Sequence, residues 1–270
     1  MRGTGPADLE ILFRINAAVH AAVREASSSP RRAVVVAMGA SGSPTEQLDR
    51  VAERTILERL EVEGVDWDLV SEEAGLVRRG GGLSLVVDPI DGTHNALHGL
   101  PFSSISLALG HGTLQGIEIG VVHDLARGTT YWAQRGGGAF RDGCPIHVRP
   151  WASASDIVYA SLGRHTDDRV IARARRSRRI RSLGCASLEI TKVAEGSGDA
   201  YLFENRPASR NLRATDIAAG YRILLEAGGG LCDAEGRSID AFPLGVDRRT
   251  SVLAYGDPAH KAALLAGGPP

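Results

Sequence analysis

The chain has 270 residues, of which 43% are hydrophobic and 23% charged, with a net charge of -1 at pH 7. That balance fits a soluble globular protein and excludes a global electrostatic pull toward nucleic acid or a membrane surface. The three cysteines, Cys144, Cys185 and Cys232, are odd in number and lack metal-site spacing, which speaks against a disulfide framework and for a reducing compartment. The N-terminus lacks the uninterrupted apolar core of a signal peptide, and no stretch approaches transmembrane length, so the expected location is cytoplasmic. Lys192 and Lys261 are the only lysines, so abundant arginine is not by itself a sign of anion binding.

Apolar residues Leu9, Leu12, Phe13, Val19 and Val23 recur at helical spacing and predict a helix over about Asp8 to Glu25. Ser27 to Arg32 breaks it, and Ala33 to Ala37 reads as a short strand. A second helix follows Gly39 to Asp49, with Ser43 as N-cap, Pro44 at the first helical position and Glu46 completing a capping box. Its buried stripe runs through Leu48, Val51, Ala52, Thr55, Ile56 and Leu60, and Asp49 flanks it one turn in. Trp67 to Glu73 and Leu83 to Asp88 read as strands with acids at their C-terminal ends, and Pro89 is expected to stop the second. From Phe102 to Val148 successive strand patterns predict an antiparallel meander. Beyond Trp151 strand and helix patterns alternate, with a clear helix in TDIAAGYRILLEAGG that ends at glycine. Helices followed by strands are typical of an α+β layered domain.

The chemistry rests on acids at predicted element ends: Glu72, Glu73, Asp88, Asp91 and Asp216. Taken alone, Asp-Pro-Ile-Asp-Gly reads first as a simple turn, and the combination with Glu72-Glu73, Gly92-Thr93 and Asp216 is what favours a site. Convergent carboxylates repel one another unless cations lie between them, and hard oxygen ligands select Mg²⁺, Mn²⁺ or Ca²⁺ over zinc. Gly92-Thr93-His94-Asn95 can open a short helix whose N–H groups face an anion, and a cation cluster beside it is a phosphoryl site in physical terms. The Thr93 hydroxyl is suited to orient an attacking water. Phosphatases of the haloacid dehalogenase type place their two aspartates two apart; the three-residue step from Asp88 to Asp91 favours a water nucleophile over an aspartyl one.

Asp88 to Asn95 (DPIDGTHN), Glu72-Glu73 and Asp216 to Gly220 (DIAAG), in this order, resemble the three motifs of the inositol monophosphatase superfamily, whose members are lithium-sensitive, Mg²⁺-dependent phosphatases. GSPTEQLD, DGTHNALHGLPF and LRATDIAAGYRILLEAGG look most like the archaeal-type fructose-1,6-bisphosphatase/inositol monophosphatases. The resemblance implies a layered α/β/α/β/α sandwich; the change of pattern near Pro150 divides it into residues 1–150, an N-terminal metal-binding α+β domain, and 151–270, a C-terminal α/β substrate domain. It implies two to three Mg²⁺ ions, with Mn²⁺ as a substitute: Glu72, Asp88 and the Ile90 carbonyl for the first, Asp88, Asp91 and Asp216 for the second, and Glu72 with waters for a third. Thr93 and Asp49 would activate the water, and the Gly92 and Thr93 amides would take the phosphate. Gly184, Cys185, Ala186 and Ser187 would lie near the alcohol part, and Glu204 would accept a substrate hydroxyl. A small phosphorylated sugar or cyclitol is the implied substrate and a homodimer the implied assembly.

Two departures from the archaeal pattern are Ser41, where an aspartate is typical, and a long Glu204 to Asn211 segment. Arg173 to Ser182 is the one basic run. It reads as a solvated helix face; a sharper reading gives Arg178, Arg179 or Arg181 a second phosphate. The rival function is a non-catalytic protein that uses Arg173 to Arg181 to dock RNA, although nucleic acid is not the expected partner. His94 and His98 are read as rim residues, and Cys185 as a packing residue rather than a nucleophile.

Overall fold

The computed structural model describes residues 3–27, 35–38 and 44–266. Helix α1 (Pro6–Ser27) is followed by a hairpin of β1 (Val35–Met38) and β2 (Pro44–Glu46), then by α2 (Gln47–Val62). The Ser41 and Ser43 readings lie outside the described residues. Helix α2 starts later than its sequence signals suggest: Pro44 pairs with Met38 in the hairpin, Glu46 is the N-cap, and Asp49 accepts the Glu46 N–H at 3.2 Å. Asp49 therefore takes the part in the cap that the sequence reading gave to Glu46.

The chain continues through β3 (Asp68–Ser71), β4 (Gly75–Val77), β5 (Ser84–Asp91), α3 (Thr93–His98), β6 (Ser104–Gly110), β7 (Ile117–Asp124), β8 (Thr129–Gln134), β9 (Gly138–Arg141) and β10 (Cys144–Ile146). These strands form an eight-stranded sheet in the order β10-β9-β8-β7-β6-β5-β3-β4. From β5 to β10 it is the expected antiparallel meander; β3 and β5 are parallel. The second half comprises β11 (Ile157–Ala160), α4 (Asp168–Ala174), β12 (Arg179–Arg181), α5 (Ala186–Ala194), β13 (Ala200–Phe203), α6 (Ala214–Glu226), β14 (Gly230–Cys232), β15 (Val252–Tyr255) and α7 (Pro258–Leu265). Its five strands are ordered β12-β11-β13-β15-β14.

Alternation along the strands sorts the side chains into three cores. Leu85, Val87, Leu107 and Val121 meet Leu12, Ile15, Val19, Leu48 and Ile56 of α1 and α2. On the other face of the large sheet, Val86, Ala108 and Val122 meet α5 and α6, which also cover Tyr159, Tyr201 and Ala254 of the small sheet. Val158, Ala160 and Leu202 face Val170 and Ala174 of α4 and Leu264 of α7. The result is the α/β/α/β/α sandwich, and its central core draws on residues from both sides of Pro150.

Helix α6 is buried along nearly its whole length and comes very close to β7. A Cβ on Gly120 would lie 2.5 Å from the Ala219 carbonyl oxygen, so only glycine permits this approach. Gly120→Ala should force the helix away from the sheet and cost about 1–3 kcal/mol, as overpacked cores do. Urea unfolding of the two proteins measures this, and an unchanged midpoint would contradict the packing argument.

Candidate active site

The parallel strands β3 and β5 lie side by side in the large sheet. Ser71 ends β3 opposite Val87 of β5, so Glu72 follows level with Asp88, while β5 runs on to Asp91. Pro89 does not end β5, as the sequence suggested. Asp88 faces Ser106 and Asp91 faces Ser104, with a shift of register between them, so three residues on β5 span two on β6. In an unbroken strand residues three apart face opposite sides. The bulge restores Asp91 to the face of Asp88, the one that α5 and α6 cover. Ile90 turns to the other side and packs in the α1–α2 core.

Helix α6 delivers Asp216 in its first turn, and the Ser106 hydroxyl of β6 reaches the Thr215 carbonyl at 3.5 Å. One carboxylate oxygen each from Glu72, Asp88 and Asp216 lies within 4.8 Å of the other two. Asp91 stands next to this trio without being part of it. Its Oδ2 accepts the Ser187 N–H and Oγ–H, both at 2.6 Å, and lies 3.3 Å from Cys185 Sγ.

Burial, and then the charges of Glu72, Asp91 and Asp216, raise the Asp88 carboxyl well above the usual carboxylate range. Asp216 is pushed up to about 7 by burial and then by Glu72. Burial raises Asp91 as well, opposed by its Ser187 hydrogen bonds. Buried acids that hold protons so strongly are short of positive charge, and their donors are all hard oxygens. These residues fit Mg²⁺ or Mn²⁺.

Beside the trio, Gly92 adopts φ 79° and begins α3, where a Cβ would meet the Phe102 carbonyl oxygen at 2.7 Å. Thr93 Oγ1 lies 3.1 Å from Asp49 Oδ1 and 2.8 Å from the Ile90 carbonyl oxygen. Asp49 is raised to about 8, chiefly by burial and then by its contact with Glu46.

Leu183 to Ser187 crosses this site from the second half of the chain. Gly184 takes φ 73°, Cys185 is the N-cap of α5, and Cys185, Ala186 and Ser187 are buried. Burial raises the Cys185 thiol well above its ordinary value, as befits a packing residue. Two residues that sequence reasoning did not single out hold the crossing. Asn95 Nδ2 lies 2.8 Å from the Phe102 and Leu183 carbonyl oxygens and 3.2 Å from that of Gly184. Glu189, raised to about 8 mainly by burial, accepts the Leu183 N–H at 2.7 Å. Asn95 sits inside the DGTHN motif and Glu189 inside LGCASLE, but neither spacing reveals its partner. A third, Arg213, donates from Nη1 to Glu72 Oε1 at 2.8 Å.

Other expected residues are placed elsewhere. Glu204, expected to accept a substrate hydroxyl, turns toward α4, where its Oε1 pairs with Arg169 while its buried Oε2 has no partner among the described residues. Alternation explains this: Leu202 faces α4, and Glu204, two residues on, leaves on the same side. The basic run is not one helix face, because α4 ends at Ala174 and Arg179 to Arg181 form the edge strand β12. Arg173 and Arg176 donate to the Ala234 and Ala263 carbonyl oxygens at 2.6 and 3.3 Å. The Arg178 N–H is held by Asp156 at 2.7 Å, and Arg179 and Arg181 are exposed. His94 and His98 are exposed, their rings 4.2 Å apart.

Residues 8–266 match the model of the inositol monophosphatase family. The chain belongs to that family, whose members are phosphoric monoester hydrolases. It is 37% identical over 239 residues to a fructose-1,6-bisphosphatase/inositol-1-monophosphatase of Methanothermobacter thermautotrophicus, covering 83% of this chain and 82% of that protein. It is 32% identical to a bifunctional NADP phosphatase/NAD kinase of Methanococcus maripaludis, covering 94% of this chain but 48% of that protein. A Pyrococcus horikoshii protein described as hypothetical, with similarities for inositol-1 monophosphatase, superposes with a TM-score of 0.83 at 24% identity, over 99% of this chain and all of that one. That last likeness bears on the fold alone. As an inositol monophosphatase family member this chain is a phosphatase of sugar phosphates. Among its described residues no helix is long and apolar enough to cross a membrane.

The raised carboxyls give a signed pH dependence in the cation-free protein. Asp216 and Asp49 keep their protons to about 7 and about 8 when folded, against a model-compound value of 3.8. The folded state therefore binds more protons than the unfolded one, and stability falls as pH rises through this window. In chelator, thermal unfolding should occur at lower temperature at pH 8 than at pH 5, and millimolar Mg²⁺ at pH 8 should reverse much of the loss. A melting temperature indifferent to both would refute the charge crowding.

Proposed function

We propose that this chain is a Mg²⁺-dependent phosphomonoesterase for small sugar or cyclitol phosphates, inositol monophosphate and fructose 1,6-bisphosphate among them, with water as the nucleophile. The observation that carries the reading is the convergence of Glu72, Asp88 and Asp216 oxygens beside the Thr93–Asp49 pair. Glu72, Asp88, the Ile90 carbonyl, Asp91 and Asp216 would hold two to three cations. When bound, these neutralise phosphate oxygens and make a water more acidic.

The remaining work falls to the chain's own groups. Asp91, fixed through Oδ2 by Ser187, keeps Oδ1 for the cation side. The Gly92 and Thr93 amides receive the phosphate. Thr93 Oγ1 takes a proton from the attacking water, and Asp49 Oδ1, 3.1 Å away, accepts in turn. Such a relay needs Asp49 ionised, so its raised value calls for nearby positive charge before turnover. The alcohol part lies against the crossing segment around Gly184, with its buried neighbours Cys185 to Ser187 as support. Glu204 is held by Arg169 through Oε1, and its buried Oε2, unpartnered among the described residues, stays available to accept a substrate hydroxyl.

Asp88→Asn should lower phosphate release at millimolar Mg²⁺ by at least about 100-fold, with circular dichroism unchanged. The substrate panel is inositol 1-phosphate, fructose 1,6-bisphosphate and NADP. Wild-type release from none of them, or full activity in Asp88→Asn, would sink the proposal.

A further inference from the structure

Arg213 immediately precedes α6, is 4% exposed, and touches two of the three clustered acids through different groups. Its backbone N–H donates to Asp216 Oδ2 at 2.7 Å, and its Nη1 donates to Glu72 Oε1 at 2.8 Å. Its Nε reaches the Val246 carbonyl at 3.2 Å, which fixes the plane of the guanidinium. Arg249, anchored to the Asn211 carbonyl at 2.8 Å, lies within electrostatic reach of Arg213, Asp216 and Glu72. The chain thus supplies positive charge of its own on the Glu72 side of the cluster.

We propose that Arg213 is a built-in counter-cation that occupies Glu72 Oε1 in the cation-free protein and competes with divalent ions for that oxygen. This inference rests on the cation site of the proposed function. Glu72 has two carboxylate oxygens, and one is already engaged by a charge that, unlike lysine or histidine, cannot be relieved by losing a proton. A cation that draws on that oxygen must displace the guanidinium or stand close to it against like charge. Removing the guanidinium leaves Glu72 crowded by Asp88 and Asp216 with less compensation, which destabilises the cation-free state. The ion-bound state, in which the guanidinium no longer holds that oxygen, loses less, so ions bind the variant more tightly. Arg213 acts here as a positioning residue: it holds Glu72 in place while the site is empty and lowers the affinity of the cluster for its ions. A residue that merely supported the geometry would have the opposite effect when lost.

The sign of the change in Mn²⁺ binding is therefore the test, measured by titration calorimetry on the full chain. Arg213→Gln should bind Mn²⁺ at least about tenfold more tightly than wild type. It should also melt at lower temperature in chelator and gain more on Mn²⁺ addition. Arg213→Lys, which keeps the charge, should stay within about threefold of wild type. In the wild type, with no substitution at all, the Arg213 Nε–H resonance should shift as Mg²⁺ is added. Equal or weaker Mn²⁺ binding by folded Arg213→Gln, or a resonance unmoved at saturating Mg²⁺, overturns the proposal. If wild type binds Mn²⁺ and releases phosphate while Arg213→Gln binds no tighter, this inference alone falls; if wild type binds no Mn²⁺, the reading of the site falls with it.

Discussion

The crowding of buried and half-buried carboxylates is the constraint on which the rest of this structure depends. Glu72, Asp88, Asp91 and Asp216 come from two strands and a helix, and each would be better solvated apart. The fold holds them together with apolar cores on both sides of the large sheet, so the protein keeps a charge deficit that cations can fill. Burial first, and neighbouring acids after it, hold the Asp216 and Asp49 carboxyls far above the ordinary range.

The elements around the site divide the work of holding it. The bulge in β5 places Asp91 on the face of Asp88, and Ser187 then restrains one Asp91 oxygen. Helix α6 reaches the trio because Gly120 lets it sit almost on the sheet backbone. Asn95 fastens the Leu183 to Ser187 crossing to α3, which joins the two halves of the chain at this site, and Glu189 of α5 braces the crossing through the Leu183 N–H. Most of these contacts link residues distant in sequence, and each supports a group of the proposed site.

Much of this was legible beforehand. The apolar spacing of α1, the meander from β6 to β10, and the long helix α6 follow from local periodicity, which does not depend on the rest of the chain. The acids at strand ends are legible only in combination, because Asp-Pro-Ile-Asp-Gly alone is an ordinary turn and it is Glu72-Glu73 and Asp216 that give it another use. The start of α2 was misplaced because Ser43-Pro44 carries strong local helix signals, while Pro44 to Glu46 gains more by pairing with Val35 to Met38. The basic run reads as one helix face in sequence because charge alone does not show where α4 gives way to an edge strand.

By itself, the sequence determined the residue types, the order of elements and the hard-oxygen character of the site, since these depend on side-chain chemistry and short-range spacing. Only the tertiary structure decided which acids share a face, because a single bulge reverses the alternation beyond it. It also decided that Glu204 faces Arg169 instead of the trio, and that Arg213 lies against Glu72, 141 positions away in the chain. Such pairings are set by how the layers stack, and neither periodicity nor composition contains that distance.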